Sequence, residues 1–440
     1  MSDGEFGLIS LWFAKNTLMK TSTVQRIALS AALMAGAFLG LQSCERGSTP
    51  VKLTTPKLPA TVFEYLKVKL PGGNIFDVKA KMSELAFGFT STDPRNMGGF
   101  APNTLDAELQ QSIEAINNHS VQLGRVLFYD TRLSINNTVS CASCHNQALS
   151  FSDNQAVSTG FGGRKTTRNA MALATPVLHS NMFWDSRVRG TLELSLVPVF
   201  NHIEMGMESE SMLVQKLAQT DYYKDLFKAA YGDETISQKR IAMALSHFMN
   251  SMVSRNSKFD QVMATDANGN PKPMAQFNAL EQMGHDLFFS ERMRCSKCHN
   301  GENFAAPDLP TQDPDMGPYG NPTPDNPNAS AGTANIGLNI TTGDAGRMDG
   351  KFRIPTLRNI ELTGPYMHDG RFQTLDEVLN HYSGGIQNHP TLDENLKGAD
   401  GKPLHMNMTQ IEKDALKAFL FTLTDHTFIT DPKFSNPFAN

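Results

Sequence analysis

The sequence predicts a mainly α-helical protein made of two tandem copies of one unit, joined by long irregular loops. Three observations carry this expectation. A five-residue motif occurs twice, as Cys141-Ala-Ser-Cys144-His145 and as Cys295-Ser-Lys-Cys298-His299. The residues flanking the two copies repeat in register. No stretch alternates apolar and polar residues for long enough to build a sheet.

Cys-x-x-Cys-His is the attachment pattern of c-type haem. The two thiols form thioethers with the two vinyl groups of one porphyrin. The adjacent histidine is then held over one face, where its imidazole can ligate iron. Two other readings compete. A four-cysteine zinc site places its pairs about 15–20 residues apart, whereas these lie about 150 apart. Redox disulfides would not need His145 and His299. Two covalent haems c therefore follow, with Cys141, Cys144 and His145 on one and Cys295, Cys298 and His299 on the other.

Near the start of the chain, Lys20 and Arg26 precede an apolar stretch from Ile27 to Leu41, too short to cross a bilayer comfortably and suited to an export signal. It ends at Leu41-Gln-Ser-Cys44, a lipoprotein-like box, so residues 1–44 read as a signal with Cys44 lipidated. In the alternative, the signal is simply cleaved and Cys44 plays no part. Asp3 and Glu5 are out of place in a signal, which makes Met19 an alternative start. The expected location is periplasmic, or anchored at the outer membrane through lipid alone. Residues 45–104 are a tether, Ser/Thr/Pro/Lys-rich over 45–60, followed by a segment without a clear assignment.

Residues 105–264 form the expected first haem domain, with helices over 111–131 and 236–264. The stretch 265–275 breaks the pattern and suits a linker. Residues 276–430 form the second domain, with a Pro/Asn/Asp/Gly-rich loop over 302–350 and helices over 374–382 and 409–424. The duplication ties the two together. Leu123-Gly-Arg-Val-Leu-Phe-Tyr-Asp-Thr-Arg-Leu133 matches Met283-Gly-His-Asp-Leu-Phe-Phe-Ser-Glu-Arg-Met293, and asparagine follows each ligand histidine, at Asn146 and Asn300. Downstream, Arg168-Asn169 recurs as Arg358-Asn359, and Phe183-Trp-Asp-Ser-Arg187 as Met367-His-Asp-Gly-Arg371. Net charge is −5, with no basic run or basic-aromatic patch, which excludes a nucleic-acid partner.

From about residue 105 to 425 these motifs resemble the bacterial di-haem cytochrome c peroxidases and the related methylamine-utilisation di-haem enzyme. The resemblance rests on Leu-Phe-x-Asp-x-Arg-Leu-Ser before the first haem, Arg-Asn, Phe-Trp-Asp and Asn-x-x-Glu-Met-Gly-Met. After the second haem it rests on Pro-Thr-Leu-Arg-Asn-x-x-Leu-Thr-x-Pro-Tyr-x-His-Asp-Gly. It implies that the first haem meets hydrogen peroxide and the second passes electrons from a small donor such as a cytochrome c or cupredoxin. His145 is then the proximal ligand of the peroxide haem, Glu204 the distal acid–base group and Pro198 its neighbour. Trp184 becomes the conduit between haems, and Asn169, Thr363 and Pro365 contributors to a calcium site. A homodimer is left open. Glu204 as a surface helix residue and Trp184 as plain core are the bland alternatives.

Three positions depart from the family pattern. The distal histidine of peroxidases that need reductive activation falls sixteen residues after the first proximal one, where this chain has Phe161. A distal glutamine, ten residues before the glutamate, is Leu194. The methionine ligand of the second haem is replaced by Tyr382, as in the methylamine-utilisation enzyme. A phenolate stabilises ferric iron and lowers the potential relative to methionine. The leading expectation is a peroxidase. Peroxide-driven oxidation of an organic or protein substrate is the second, favoured by Phe161 and Tyr382. A non-catalytic electron carrier is the third, and an exchangeable iron face beside Glu204 argues against it.

Overall fold

Each cysteine motif follows a helix that crosses a later helix at very close range, and the two crossings are built alike. Asn118–Tyr129 packs on Gln238–Ser251, and Ala279–Phe288 packs on Gln410–Phe421. At each crossing the repeated glycine lets the backbones touch. A Cβ on Gly124 would lie 1.8 Å from the Ala244 carbonyl oxygen and 2.8 Å from the Phe248 Cβ. On Gly284 it would lie 1.9 Å from the Ala415 oxygen and 2.8 Å from the Phe419 Cβ. The repeat seen in sequence is thus a repeated helix pair, with an aromatic of the second helix beside each glycine.

Gly284→Ala should destabilise the protein by about 1–3 kcal/mol or more, because carbonyl and backbone must move apart in a filled core. Urea unfolding of the haem-loaded protein measures it, and an unchanged midpoint would show that the crossing can relax.

This computed structural model describes residues 54–87, 104–179, 181–306, 316–317, 321–322, 332–338, 344–347 and 350–439. The expected signal over 1–44, with Cys44 and Met19, lies outside the described residues. Among the described residues the chain is mainly helical, and its strands form only two-stranded antiparallel pairs. No described helix is long and apolar enough to cross a membrane.

The helix expected over 111–131 is two helices, Thr104–Ala115 and Asn118–Tyr129. Asn117 breaks them by capping: its side chain accepts from the Ser120 N–H at 2.9 Å, and the Ser120 hydroxyl accepts from the Asn117 N–H at 3.0 Å. Asn278 and Glu281 start Ala279–Phe288 with the same box. The helix expected over 236–264 stops at Ser251 and resumes as Lys258–Val262.

Two apolar cores result. The first gathers Val121, Leu127, Phe128, Phe151, Leu213, Phe227 and Phe248. The unassigned segment after the tether packs on it: a hairpin pairs Lys67–Lys69 with Ile75–Asp77, and Tyr65, Phe76 and Val78 are buried there. The chain end returns to the same core, where Phe428 and Phe434 are buried and Tyr129 donates to the Phe434 carbonyl at 2.7 Å. The second core gathers Phe288, Met293, Phe304, Leu379, Leu416 and Phe419.

The repeated Arg-Asn pairs clamp the halves reciprocally. Arg168 pairs with Asp344 at 2.7 Å. Asn359 donates to Ser150 and Ser254, each at 3.0 Å, and its carbonyl side-chain oxygen accepts from the Asp425 N–H at 2.7 Å. Arg358 is buried on Asp260 through two 2.9 Å contacts.

Candidate functional site

The two cysteine motifs are short helical turns, Cys141–Ser143 and Cys295–Cys298, and none of their four sulfurs is in a disulfide. Burial pushes Cys141 up to about 12, Cys144 to about 11, and Cys295 and Cys298 to about 12. Burial thus disfavours the thiolate at all four, the opposite of what a metal-binding or redox cysteine requires.

Each histidine is oriented by a backbone carbonyl. His145 Nδ1 donates to the Phe151 carbonyl at 2.7 Å, and His299 Nδ1 to the Phe304 carbonyl at 3.1 Å. A carbonyl only accepts, so the proton sits on Nδ1 and the Nε2 lone pair is left for a metal. Burial also lowers the pKa of both rings, that of His299 to about 4. The accepting residues share a left-handed backbone, with φ of 58° at Phe151 and 48° at Phe304. This bend folds the chain back over the histidine. Sequence reasoning misses both carbonyls; the repeated Asn146 and Asn300, each followed a few residues later by phenylalanine, are the only signal that points to them.

A largely apolar cavity opens at the second motif. Cys295, Cys298 and His299 lie on its wall with Phe288, Leu379 and Leu416. Two thiols and an accepting imidazole around an apolar slot fit a covalently held porphyrin. Tyr382 lines the same cavity as His299, as do Met367, His368, Met406 and Met408. The helix expected over 374–382 ends at Asn380 and passes into a π turn, His381–Gly385, that carries Tyr382. Burial pushes its phenol well up. The neighbouring His381 is held elsewhere, with Nε2 2.8 Å from the Ile336 carbonyl.

Trp184, Asn169, Thr363 and Pro365 also line this cavity. The Trp184 indole N–H donates to the Asn169 carbonyl at 2.9 Å, and the Asn169 N–H to the His368 carbonyl at 2.7 Å. Of the three expected calcium contributors, Asn169 is bonded to the tryptophan, while Thr363 and Pro365 line the same cavity. Among the described residues no group of three or more His, Cys, Asp or Glu is placed to hold a metal ion.

The distal candidates are consecutive in space. Pro198 lies in the short helix Val197–Phe200, and its carbonyl accepts from the Asn201 N–H at 3.3 Å. The Asn201 side chain in turn donates to Glu204 Oε1 at 3.3 Å. Glu204 is half-buried; burial raises its carboxyl above the ordinary range and Arg187 opposes that. Its charge acts on both Cys141 and Cys144, so it lies within electrostatic reach of the first motif.

Phe161 lies against this segment. Its N–H donates to the Glu204 carbonyl at 2.9 Å. Its ring covers Gly206, where a Cβ would come within 2.2 Å of a ring carbon, and Gly160 is pressed on the Ile203 carbonyl. Leu194 ends the helix Gly190–Leu194, half-buried, and brings no polar group.

The family model of di-haem cytochrome c peroxidase matches residues 118–268. The cytochrome c551 peroxidase of Nitrosomonas europaea is 31% identical over 71% of this chain and 83% of its own length. The methylamine utilization protein MauG of Methylophilus methylotrophus is 26% identical, over 73% and 86%. Among solved structures, a MauG-like protein associated with microbial copper homeostasis is 34% identical, covers 74% of this chain and 94% of its own, and superposes with a TM-score of 0.61.

Proposed function

The chain belongs to the di-haem cytochrome c peroxidase family, and from that premise we propose that it reduces hydrogen peroxide to water at the Cys141–His145 site, with electrons entering from a small redox protein at the Cys295–His299 site. Family membership makes it a peroxidase-like oxidoreductase with covalently bound haem c. The observation that carries the finer reading is the half-buried Glu204 within electrostatic reach of the first motif, with a non-ligating Phe161 docked on the same segment.

Haem iron, held by His145, would supply the redox centre for peroxide reduction. The chain's residues do the rest. His145 and His299 present Nε2, held by the Phe151 and Phe304 carbonyls. Glu204 accepts a proton from peroxide and returns it to the departing oxygen, acting as base and then as acid. Asn201 fixes the carboxylate. Trp184, on the wall of the second cavity with its indole anchored to Asn169, is the conduit for electrons between the sites.

The same proposal holds two tandem haem domains over 105–264 and 276–430 and a calcium ion near Asn169, Thr363 and Pro365, where oxygen donors including carbonyls suit a hard cation. It also holds lipid attachment at Cys44, a periplasmic or outer-membrane location, and a homodimer as the assembly to test. The second reading, peroxide-driven oxidation of an organic or protein substrate, is favoured by Tyr382, which lines the cavity of the second site.

The reading is tested through Phe161. The oxidised protein as isolated should bind cyanide at the first haem and react with peroxide without prior reduction, followed by absorption and spin-state spectra. A first haem that stays six-coordinate and inert until reduced would mean that another ligand occupies the distal face. Steady-state turnover of peroxide with a reduced cytochrome then separates peroxidase from oxidase and carrier.

A further inference from the structure

A path of aromatic rings leads away from His145 toward a cluster of phenols. The Phe128 ring centre lies 6.4 Å from that of His145 and 5.4 Å from that of Tyr129. Asp130, the next residue, ends the helix Asn118–Tyr129 and is 2% exposed. Its Oδ2 accepts from the hydroxyls of Tyr222 at 2.8 Å and Tyr223 at 2.7 Å. Arg132 donates to its two carboxylate oxygens at 3.1 and 3.2 Å, and to the Tyr222 hydroxyl at 2.9 Å. The two tyrosines belong to the helix Asp221–Tyr231, which packs on Asn118–Tyr129, and their ring centres are 4.7 Å apart.

A phenol that gives up an electron becomes a strong acid, so it is oxidised readily only where a base can take its proton. Burial raises the phenols of Tyr129, Tyr222 and Tyr223, and the charge of Asp130 adds to this at the last two, which disfavours the phenolate at all three. Their partners then separate them. The Tyr129 hydroxyl donates to the Phe434 carbonyl, which is no base. Tyr222 and Tyr223 donate to a carboxylate, which is one. Tyr223 is fully buried. Tyr222 lines a cavity of about 510 Å³ together with Thr55, Lys216, Gln219, Thr220 and Asp221, and Gln219 and Asp221 are exposed, so the cavity opens to solvent.

We propose that Tyr222 is a one-electron oxidation site for small phenols bound in this cavity, with Asp130 as the base that takes and returns its hydroxyl proton. The proposal rests on peroxide being reduced at the first site, and it gives the oxidation of an organic substrate a place and a substrate class. Tyr222 gives one electron toward the first site along Tyr129, Phe128 and His145, gives its proton to Asp130, and becomes a neutral tyrosyl radical. A phenol in the cavity gives an electron to Tyr222, Asp130 returns the proton, and the phenol's own proton passes to solvent, leaving a phenoxyl radical. Hydrogen peroxide takes up two electrons and two protons to become two waters, and two phenols supply them. A phenol suits the site because it is the same redox group as the side chain it reduces, and because its ring can stack on Tyr222 while its hydroxyl meets a polar wall.

The test mixes the oxidised, haem-loaded full chain with hydrogen peroxide and reads freeze-quench EPR, with guaiacol as the phenol and its oxidation followed by absorbance. A tyrosyl signal is expected, narrowed when the protein is made with ring-deuterated tyrosine and removed by guaiacol. Tyr222→Phe, which loses only a hydroxyl, should abolish that signal and lower guaiacol turnover by about tenfold or more, since no proton can then be handed to Asp130. Gln219→Trp puts an indole on the cavity wall and leaves the tyrosines and Asp130 in place. It should slow guaiacol oxidation while the tyrosyl signal persists, and it serves if changes within the buried cluster fold poorly. Guaiacol turnover left unchanged by whichever of these variants fold overturns the proposal. So does a first haem that reacts with peroxide while no tyrosyl signal forms. A first haem that does not react with peroxide overturns the peroxide reading itself, and this proposal with it.

Discussion

Glu204→Gln should lower peroxide turnover by about 10²–10⁴-fold while both haem spectra survive, the range a positioned general acid–base group supplies. The substitution keeps the side chain's size and the main-chain contacts of the segment, including the bond from Phe161 to the Glu204 carbonyl. What it removes is the exchangeable proton. The setting suits that role. Burial raises the carboxyl above the ordinary range, and Arg187 pulls the other way, so the group is poised closer to neutrality than a solvent-exposed glutamate. The first step needs the carboxylate, to take a proton from peroxide. Turnover should therefore fall as pH drops through the raised pKa, and this acid limb should be missing from Glu204→Gln. Steady-state rates across pH measure both effects. Unchanged turnover would leave the glutamate a structural role, and an acid limb that persists in the variant would belong to another group.

The parts of this protein that are legible in the sequence are those written as repeats. Cys141, Cys144, His145 and their second copies carry their chemistry in their spacing. Gly124 and Gly284 stand in register in the two copies, and each is the point where two helix backbones touch. Other features are not legible because they depend on distant partners. The Phe151 and Phe304 carbonyls orient the histidines through a left-handed bend that no side chain announces. The helix expected over 111–131 breaks because the Asn117 and Ser120 side chains compete for backbone N–H groups. The segment around Tyr65 and Phe76 has no assignment from sequence, since its reason for folding is a core supplied by residues far along the chain. Phe161 is visible as the absence of a ligand. That its loop lies on Glu204 and Gly206 is not, because the contact joins residues more than forty positions apart.

Tyr382→Phe should change the second haem most, since axial ligation sets potentials across a range of about 0.8 V. Tyr382 and His299 both line one cavity, so both would be available to hold the iron of a haem placed there. The pocket itself opposes a phenolate: burial pushes the phenol up. Only a strong local positive charge such as ferric iron would hold it deprotonated there. Loss of that anionic donor should raise the potential and leave the iron high-spin or open to exogenous ligands. Tyr382→Met should also raise the potential, but keep the iron low-spin, and improve turnover with cytochrome donors. The neighbours make the test discriminating. Met406 and Met408 line the same cavity, as does His368, stacked on Phe352 with ring centres 3.6 Å apart. His381 is already committed to the Ile336 carbonyl. Spin state by EPR and a redox titration of the variant decide the matter. An unchanged low-spin signal and potential in Tyr382→Phe would pass the ligand role to one of the methionines or to His368. A second haem of ordinary potential would then strengthen the plain peroxidase reading, because a cytochrome donor could reduce it directly. A potential that moves with Tyr382 would instead favour an oxidant retained in the protein, with Trp184 lining the cavity of the second site.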